Sequence, residues 1–402
     1  MKCVLHIGTE KTGTTLIQNW LYENQRPLSE QGIALTTVAD KTNNRKLVSF
    51  CQSELDDYTR AYNITTKEEK AQYFAGFEAA LFAEIDQLAR SHDVVVFTSE
   101  HFHSRLRSPG EVRAVKELLS KRFDDIKVIC YFREQSQTRT SLYSTGLKIA
   151  QTCSIEDYQR HISTGDDYYN YFQFFKKWES VFGRDSLIPR IYDRNALLDN
   201  DLRLDFMAAA LPHVDTTRLT YNTNTANRSI TRRQAFFYRV VNKAVPRFTQ
   251  RFLNPLVGAF KRRINEIEIL REGGRIYDPH QREMYERFEA SNLDFFERYF
   301  GRRENLFQAP EVAGGTNALD LSDEELGDVL AEMLNVEGLT LLLPKEISLL
   351  RDVAVRLHRE GHLTRAEATV LLKVAQRARP DGKRIRNMLA KVVDEPFVDA
   401  RK

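Results

Sequence analysis

No stretch of this 402-residue chain approaches about 18 uninterrupted apolar residues, so no membrane-spanning helix is expected. A secretory opening is missing too. Residues 1–7 form a short apolar run that meets Gly8, where a signal peptide needs an apolar region of about 7–15 residues. Cysteine is scarce, and Cys3, Cys51, Cys130 and Cys153 show no paired spacing. Cys3 and Cys130 sit in apolar runs, which makes them core thiols rather than disulfide halves or metal ligands. These absences point to a reducing, cytoplasmic compartment. Net charge is small as well: 59 basic and 56 acidic side chains leave +3. That excludes a surface built throughout for nucleic acid and leaves only local basic patches. Internal repeats and low-complexity tracts are absent.

What the chain does have is apolar and aromatic residues, 42% and 10% of the total, enough for a sizeable core. Short β-branched runs at residues 2–7, 33–37, 94–98, 127–132 and 187–192 read as strands. Amphipathic stretches separate them, the clearest at 67–90, where Tyr73, Phe77, Leu81, Ile85 and Leu88 recur at helical spacing. Tyr171, Phe174, Phe175, Trp178 and Phe182 form a second stripe and predict a core-facing helix. Strand alternating with helix implies an α/β fold with a central parallel sheet and flanking helices. Ligands of such sheets bind at the carboxyl ends of the strands.

Composition changes near residue 309. Residues 309–320 read as a linker, and beyond 309 the only aromatic is Phe397. Ser322 with Glu325 and Thr364 with Glu367 have capping-box spacing and open helices rich in Leu, Val and Ala. The expected organisation is an α/β domain over 1–308, the linker, and an all-helical C-terminal extension over 321–402.

The strongest local signal follows the first strand: Gly8, Thr9, Glu10, Lys11, Thr12, Gly13, Thr14, Thr15, then an amphipathic helix opened by Leu16, Ile17, Trp20 and Leu21. A strand, a glycine-containing loop and a helix N-terminus make an anion site, with backbone N–H groups and the helix dipole directed at a phosphate. Thr14 stands where a nucleoside-triphosphate P-loop has its lysine, and Lys11 comes two residues before Gly13 instead.

This Lys11-x-Gly13-Thr14-Thr15 pattern resembles the 5′-phosphosulfate loop of sulfotransferases that use 3′-phosphoadenosine 5′-phosphosulfate (PAPS). The resemblance implies that Glu10, Lys11, Thr12, Gly13, Thr14 and Thr15 form the phosphosulfate site, with Lys11 also stabilising the departing phosphate oxygen. It further implies a strand-end arginine and a serine eight residues on that hold the 3′-phosphate. Arg133 ends the run 127–132, and Ser141 has that spacing. A dianionic phosphate calls for a guanidinium fork and a hydroxyl donor.

The acceptor must lose a proton as it attacks sulfur. The run 94–98 leads into Ser99, Glu100, His101, Phe102 and His103. Glu100 matches the base of heparan sulfate N- and 3-O-sulfotransferases; His101 or His103 matches the histidine base of cytosolic small-molecule sulfotransferases. A weaker match lies at Gly273, Gly274 and Arg275, followed by Phe288, Asn292, Phe295 and Phe296. It resembles a glycine–basic loop that closes on the 3′-phosphate, and a plain glycine turn accounts for it equally well. The resemblance spans about residues 1–308 and implies PAPS as co-substrate, no metal, and a carbohydrate or glycan acceptor rather than nucleic acid.

Residues 228–263 carry ten Lys or Arg and no acid. They read either as an anionic-glycan or membrane-surface contact or as an amphipathic helical pair with a solvated basic face. His358 and His362 do not have metalloprotease spacing with Glu360 and read as structural. Two other classes of function stay open: a P-loop kinase or NTPase, and a nucleotide-binding scaffold that oligomerises through its C-terminal helices.

Overall fold

Alternate residues of the first strand face opposite sides of a sheet, and both sides are buried. In the computed structural model, β1 (Lys2–His6), β2 (Ile33–Leu35), β3 (Val94–Thr98), β4 (Asp125–Phe132) and β5 (Leu187–Ile191) form one sheet in the order β2-β3-β1-β4-β5. Every pairing is parallel, with Leu5 opposite Phe97 on one side and Val128 on the other. The structure describes residues 1–222, 229–249, 252–311, 314–334, 344–379 and 382–394. Arg228 and Arg251 of the basic run, Val312 and Ala313 of the linker, and Phe397 lie outside the described residues.

Cys3, Leu5, Val95, Phe97, Val128, Cys130 and Phe132 face a first core, which Phe174, Phe175 and Trp178 of the Tyr171–Phe182 helix and Phe295 and Phe296 of the Gln281–Phe300 helix complete. Val4, Val94, Val96, Ile129 and Tyr131 face a second core with Ile17, Trp20 and Leu21 of the Thr14–Glu23 helix and Phe206 and Met207 of the Leu202–Ala210 helix. This two-sided cover is why the strands are almost continuously apolar. Burial pushes the thiols of Cys3 and Cys130 well above their ordinary range and that of Cys51 up to about 12; all four cysteines are free.

The stretch 67–90 departs from the single helix expected. It forms two helices, Lys67–Tyr73 and Phe77–Leu88, broken at Gly76. Phe74 and Phe77 are both buried, and the apolar spacing resumes after the break with Phe77, Leu81 and Ile85.

The chain divides into two compact units. The first comprises Met1–Leu142, Ile155–Arg228 and Asp278–Gly314 and contains the whole five-stranded sheet. The second joins Tyr143–Ser154, Ser229–Tyr277 and Gly315–Lys402. Within it the Arg232–Ala244 and Pro255–Glu266 helices flank a small antiparallel pair, Phe248–Thr249 and Phe252–Leu253. Both helices are amphipathic, and part of the basic run is neutralised locally: Arg232 and Arg233 pair with Asp320, and Arg263 with Glu266. Four further helices follow among the described residues, Asp323–Leu334, Pro344–Arg359, Arg365–Ala378 and Lys383–Asp394. Ser322 and Thr364 cap two of them in reciprocal bonds with Glu325 and Glu367, as their spacing predicted. His358 Nδ1 lies 3.0 Å from the Leu363 carbonyl at a helix end turned by Gly361 (φ 73°), a structural role.

Candidate active site

Chain order runs from β1 outward to β2, returns to β3, and then crosses β1 to begin β4, so the sheet reverses direction beside β1. A crevice forms at the carboxyl edge of such a point. The loop after β1 and the residue after β4 both lie there.

The loop is fastened from below. Thr9 Oγ1 donates to the Tyr131 carbonyl of β4 (2.9 Å), and Thr12 Oγ1 donates to the Thr9 carbonyl (2.6 Å). Gly8 packs so closely that a methyl there would lie 2.6 Å from Thr14 Cγ2 and 3.0 Å from His6 Nε2. Gly13 has φ 75°, and a methyl there would lie 2.4 Å from Leu202 Cδ2. Lys11 at the crown also sits in the left-handed region (φ 70°), which costs a non-glycine residue about 1–3 kcal/mol that surrounding contacts must offset. The Thr14–Glu23 helix begins at Gly13 with no side chain capping it. Its first-turn N–H groups and the positive end of its dipole are therefore set up for an anion.

Arg133, immediately after β4, meets this loop. Its Nη1 donates to the Lys11 carbonyl (3.2 Å), its Nε to Gln137 Oε1 (3.3 Å), and its guanidinium lies 5.6 Å from the Tyr192 ring centre. Two sequence-predicted features 122 positions apart are thus in direct contact. Ser141 is half-buried on the Gln135–Ile149 helix, one turn beyond Gln137 on the same face. Glu134 caps that helix, accepting from the N–H groups of Ser136 (2.8 Å) and Gln137 (2.9 Å). Burial raises the Glu134 carboxyl despite those bonds. Beside Arg133 opens a cavity of about 390 Å3, lined by Leu16, Gln137, Tyr192, Asp193, Leu202 and Arg203 among others. Asp205 secures its wall, accepting from Tyr131 Oη (2.6 Å), Arg190 Nε (2.9 Å) and the Leu198 N–H (3.1 Å).

Glu100 follows β3 on the other side of β1. Its Oε2 accepts from Gln18 Nε2 (2.7 Å) and Asn43 Nδ2 (3.1 Å), which orient the carboxylate. The two candidate histidines are placed differently. His103 is enclosed between the rings of Tyr168 (4.5 Å) and Phe174 (4.7 Å), with Nε2 3.0 Å from the Tyr168 carbonyl. A carbonyl only accepts, so Nε2 carries the proton, and Nδ1 is buried without a partner. Burial lowers this imidazole to about 4, so it is neutral at pH 7 and walled away from an acceptor. His101 is half-buried beside Glu100; burial lowers it, while Glu100 and Glu10 act in the opposite sense. Glu10 accepts from the Tyr168 hydroxyl (2.6 Å). Burial works to raise the Glu10 carboxyl, yet hydrogen bonds from the Tyr168 and Ser104 hydroxyls help to hold it below the ordinary carboxylate range.

The later match divides. Phe288, Asn292, Phe295 and Phe296 are buried, and Asn292 exchanges amide bonds with Gln135 (2.7 and 3.2 Å), so these residues build core. Arg275 is exposed in the second unit, in a turn that bridges to Thr231. Gly273 lies against Arg233, and Gly274 has φ 67°. Among the described residues no cluster of three His, Cys, Asp or Glu has the arrangement of a metal site, and no helix is long and apolar enough to cross a membrane. Sequence reasoning missed Gln18, Asn43, Gln137 and Tyr168, polar residues whose spacing carries no signal.

Fold and site together define an α/β protein with a glycine-containing strand–loop–helix and an uncapped helix N-terminus at the reversal point of a parallel sheet. No protein-family model matches the chain. An uncharacterized protein of Archaeoglobus fulgidus is 25% identical over 188 residues, 46% of this chain and 49% of that protein. The chain thus spans about half the length of the curated relative it matches. A sulfotransferase crystal structure from Alicyclobacillus acidocaldarius aligns with 60% of this chain and 91% of its own, at TM-score 0.34 and 15% identity.

Proposed function

We propose that the protein is a sulfotransferase that moves a sulfuryl group from PAPS to a hydroxyl, or an amine, of a carbohydrate acceptor. The observation that carries this reading is the contact of Arg133 with the Lys11 carbonyl, which brings the strand-end arginine and the Lys11–Thr15 loop into one site. The donor set fits a nucleotide with phosphates at both ends. An uncapped helix N-terminus, Lys11 and the close-packed Gly13 suit the phosphosulfate, and Arg133 with Ser141 suits the 3′-phosphate. The cavity beside Arg133 and Tyr192 offers room for the nucleoside.

In the proposed reaction Glu100 takes the acceptor's O–H proton as that oxygen bonds to sulfur. The bond between sulfur and the bridging oxygen breaks, and its electron pair stays on the phosphate, where Lys11 and the helix N-terminus offset the charge. The products are the sulfate ester and adenosine 3′,5′-bisphosphate. The side chains of Gln18 and Asn43 hold the Glu100 carboxylate in position for this transfer.

Incubation with 35S-labelled PAPS and a panel of desulfated glycans and lipid-linked oligosaccharides tests the reading. Label is expected on at least one glycan and lost with Lys11→Ala. Turnover on phenols or peptides alone would overturn the carbohydrate assignment, and no transfer to any acceptor would overturn the enzyme.

A further inference from the structure

Lys11 is a lysine in a conformation that favours glycine (φ 70°), so something outside the residue must hold it there. On its C-terminal side, Arg133 grips the Lys11 carbonyl (3.2 Å). On its N-terminal side, the Glu10 carboxylate is tied to the Tyr168 hydroxyl (2.6 Å), 158 positions along the chain. Tyr168 is itself a fixed post. Its N–H donates to Asp166 Oδ1 (3.0 Å), its carbonyl accepts from His103 Nε2 (3.0 Å), and its ring lies against His103, Tyr169 and the Arg107 guanidinium.

A carboxylate beside an anion-binding loop needs a reason, because it repels the ligand the loop is built for. Glu10 is not the N-cap of the following helix, and Glu100 already supplies a carboxylate oriented by two amides. What Glu10 does have is a partner that stays protonated, since burial and Glu10 itself push the Tyr168 hydroxyl well above its ordinary range. An ionised acceptor on a permanent donor makes a short, strong tether.

We propose that the Tyr168–Glu10 hydrogen bond is the clamp that holds Lys11 in its left-handed conformation, so that Tyr168 and Glu10 are positioning residues for the Lys11 ammonium. The inference rests on the sulfotransferase reading for its catalytic consequence, but the clamp itself has a readout independent of activity. Tyr168 acts through Glu10 and the backbone, and touches neither donor nor acceptor in this assignment. The bond needs an oxygen that accepts at position 10, and an amide oxygen supplies one, though a weaker one than a carboxylate.

Tyr168→Phe, Glu10→Ala and Glu10→Gln are compared in the full-length protein by hydrogen exchange of the residue 9–14 amides and by steady-state transfer from PAPS. Tyr168→Phe and Glu10→Ala are each expected to speed exchange of the loop amides and to lower kcat about tenfold or more, the scale of a small misplacement of a catalytic group. KM for PAPS should stay within about twofold, because the helix N-terminus and Arg133 remain. Glu10→Gln should restore most of the protection and most of the lost kcat, and the Tyr168→Phe, Glu10→Ala double variant should be no worse than either single. Unchanged loop exchange in Tyr168→Phe and Glu10→Ala would overturn the clamp. So would a Glu10→Gln variant as impaired as Glu10→Ala, which would assign the effect to the charge instead. If wild-type protein transfers no sulfate, the functional reading fails while the exchange experiment still decides the clamp.

Discussion

Gln18 Nε2 donates to Glu100 Oε2 at 2.7 Å, linking the helix that follows the anion loop to the carboxylate that follows β3. The residue that would take the acceptor's proton is therefore indexed to the helix that would hold the sulfuryl donor. Glu100→Gln should lower kcat about 100-fold or more, the usual scale for loss of a general base. Gln18→Ala should give a smaller loss in kcat with little change in binding of adenosine 3′,5′-bisphosphate. Steady-state kinetics and calorimetry separate the two effects. Weaker bisphosphate binding with unchanged kcat would contradict the orienting role.

Arg133 combines a loop contact with a free share of its guanidinium fork, and lysine cannot reproduce that geometry. Arg133→Lys should weaken bisphosphate binding by about 10- to 100-fold, the worth of one or two charged hydrogen bonds. Titration calorimetry reads it directly. Affinity within twofold of wild type would remove Arg133 from the phosphate site.

Gly13→Ala combines a positive φ with a methyl 2.4 Å from Leu202 Cδ2. A loss of about 1–3 kcal/mol is expected, visible as a lower denaturant midpoint. Leu202→Ala leaves a cavity of its own, so the comparison is a cycle: in the Leu202→Ala background Gly13→Ala should cost less than in the wild type, because the collision is relieved and the conformational strain remains. No cost at all in that background would mean that the backbone conformation carries no strain.

Stability should fall on mild acidification. His103 and His6 are fully buried, and burial lowers them to about 4 and about 3 from an ordinary 6.5. In the unfolded chain both rings take up protons below about pH 6.5 while the folded protein keeps them neutral, so the unfolded state gains. Their contribution is fully present above that pH and is lost as pH falls, by about 1.4 kcal/mol per pH unit for each ring, until the folded values are reached. Urea denaturation at pH 7 and pH 5 measures the slope, and His103→Phe should make it shallower. An equal slope in that variant would show that His103 does not titrate on unfolding.

Ligand preference separates the proposed chemistry from a kinase. Adenosine 3′,5′-bisphosphate should raise the melting temperature without Mg2+, since Thr14 occupies the position after Gly13 where a P-loop lysine would stand. Stabilisation by ATP with Mg2+ and none by the bisphosphate would reverse the assignment.

The sheet and loop were legible because their signals are local. Apolar runs of strand length end in glycine or polar residues, and the residue following each strand is at the carboxyl edge by construction. Arg133 lies directly after β4 and Glu100 two residues after β3, and the sulfotransferase resemblance singled them out among the residues there. The helical break at Gly76 was visible as a residue but hidden by periodicity, because Tyr73, Phe77 and Leu81 keep helical spacing across it. Gln18, Asn43 and Tyr168 were not legible. Each acts on a carboxylate 57 to 158 positions away, and an amide or a phenol carries no spacing that announces such a partner. The make-up of the second unit was hidden likewise, since the Arg232 and Arg233 pairs with Asp320 cross almost ninety positions.

Arg139 is buried, pairs with Asp278 and donates to the Ile155 carbonyl (2.7 Å). Its carboxylate partner emerges from the ribosome 139 residues later, about 7–28 s at ~5–20 residues per second. Until then the guanidinium has no counter-charge, and the aromatic face that Phe295 and Phe296 complete stays open. The first unit therefore lacks its last segment, Asp278–Gly314, until residues 229–277 have been made. The length of that intervening stretch thus sets the earliest moment at which the first core can close.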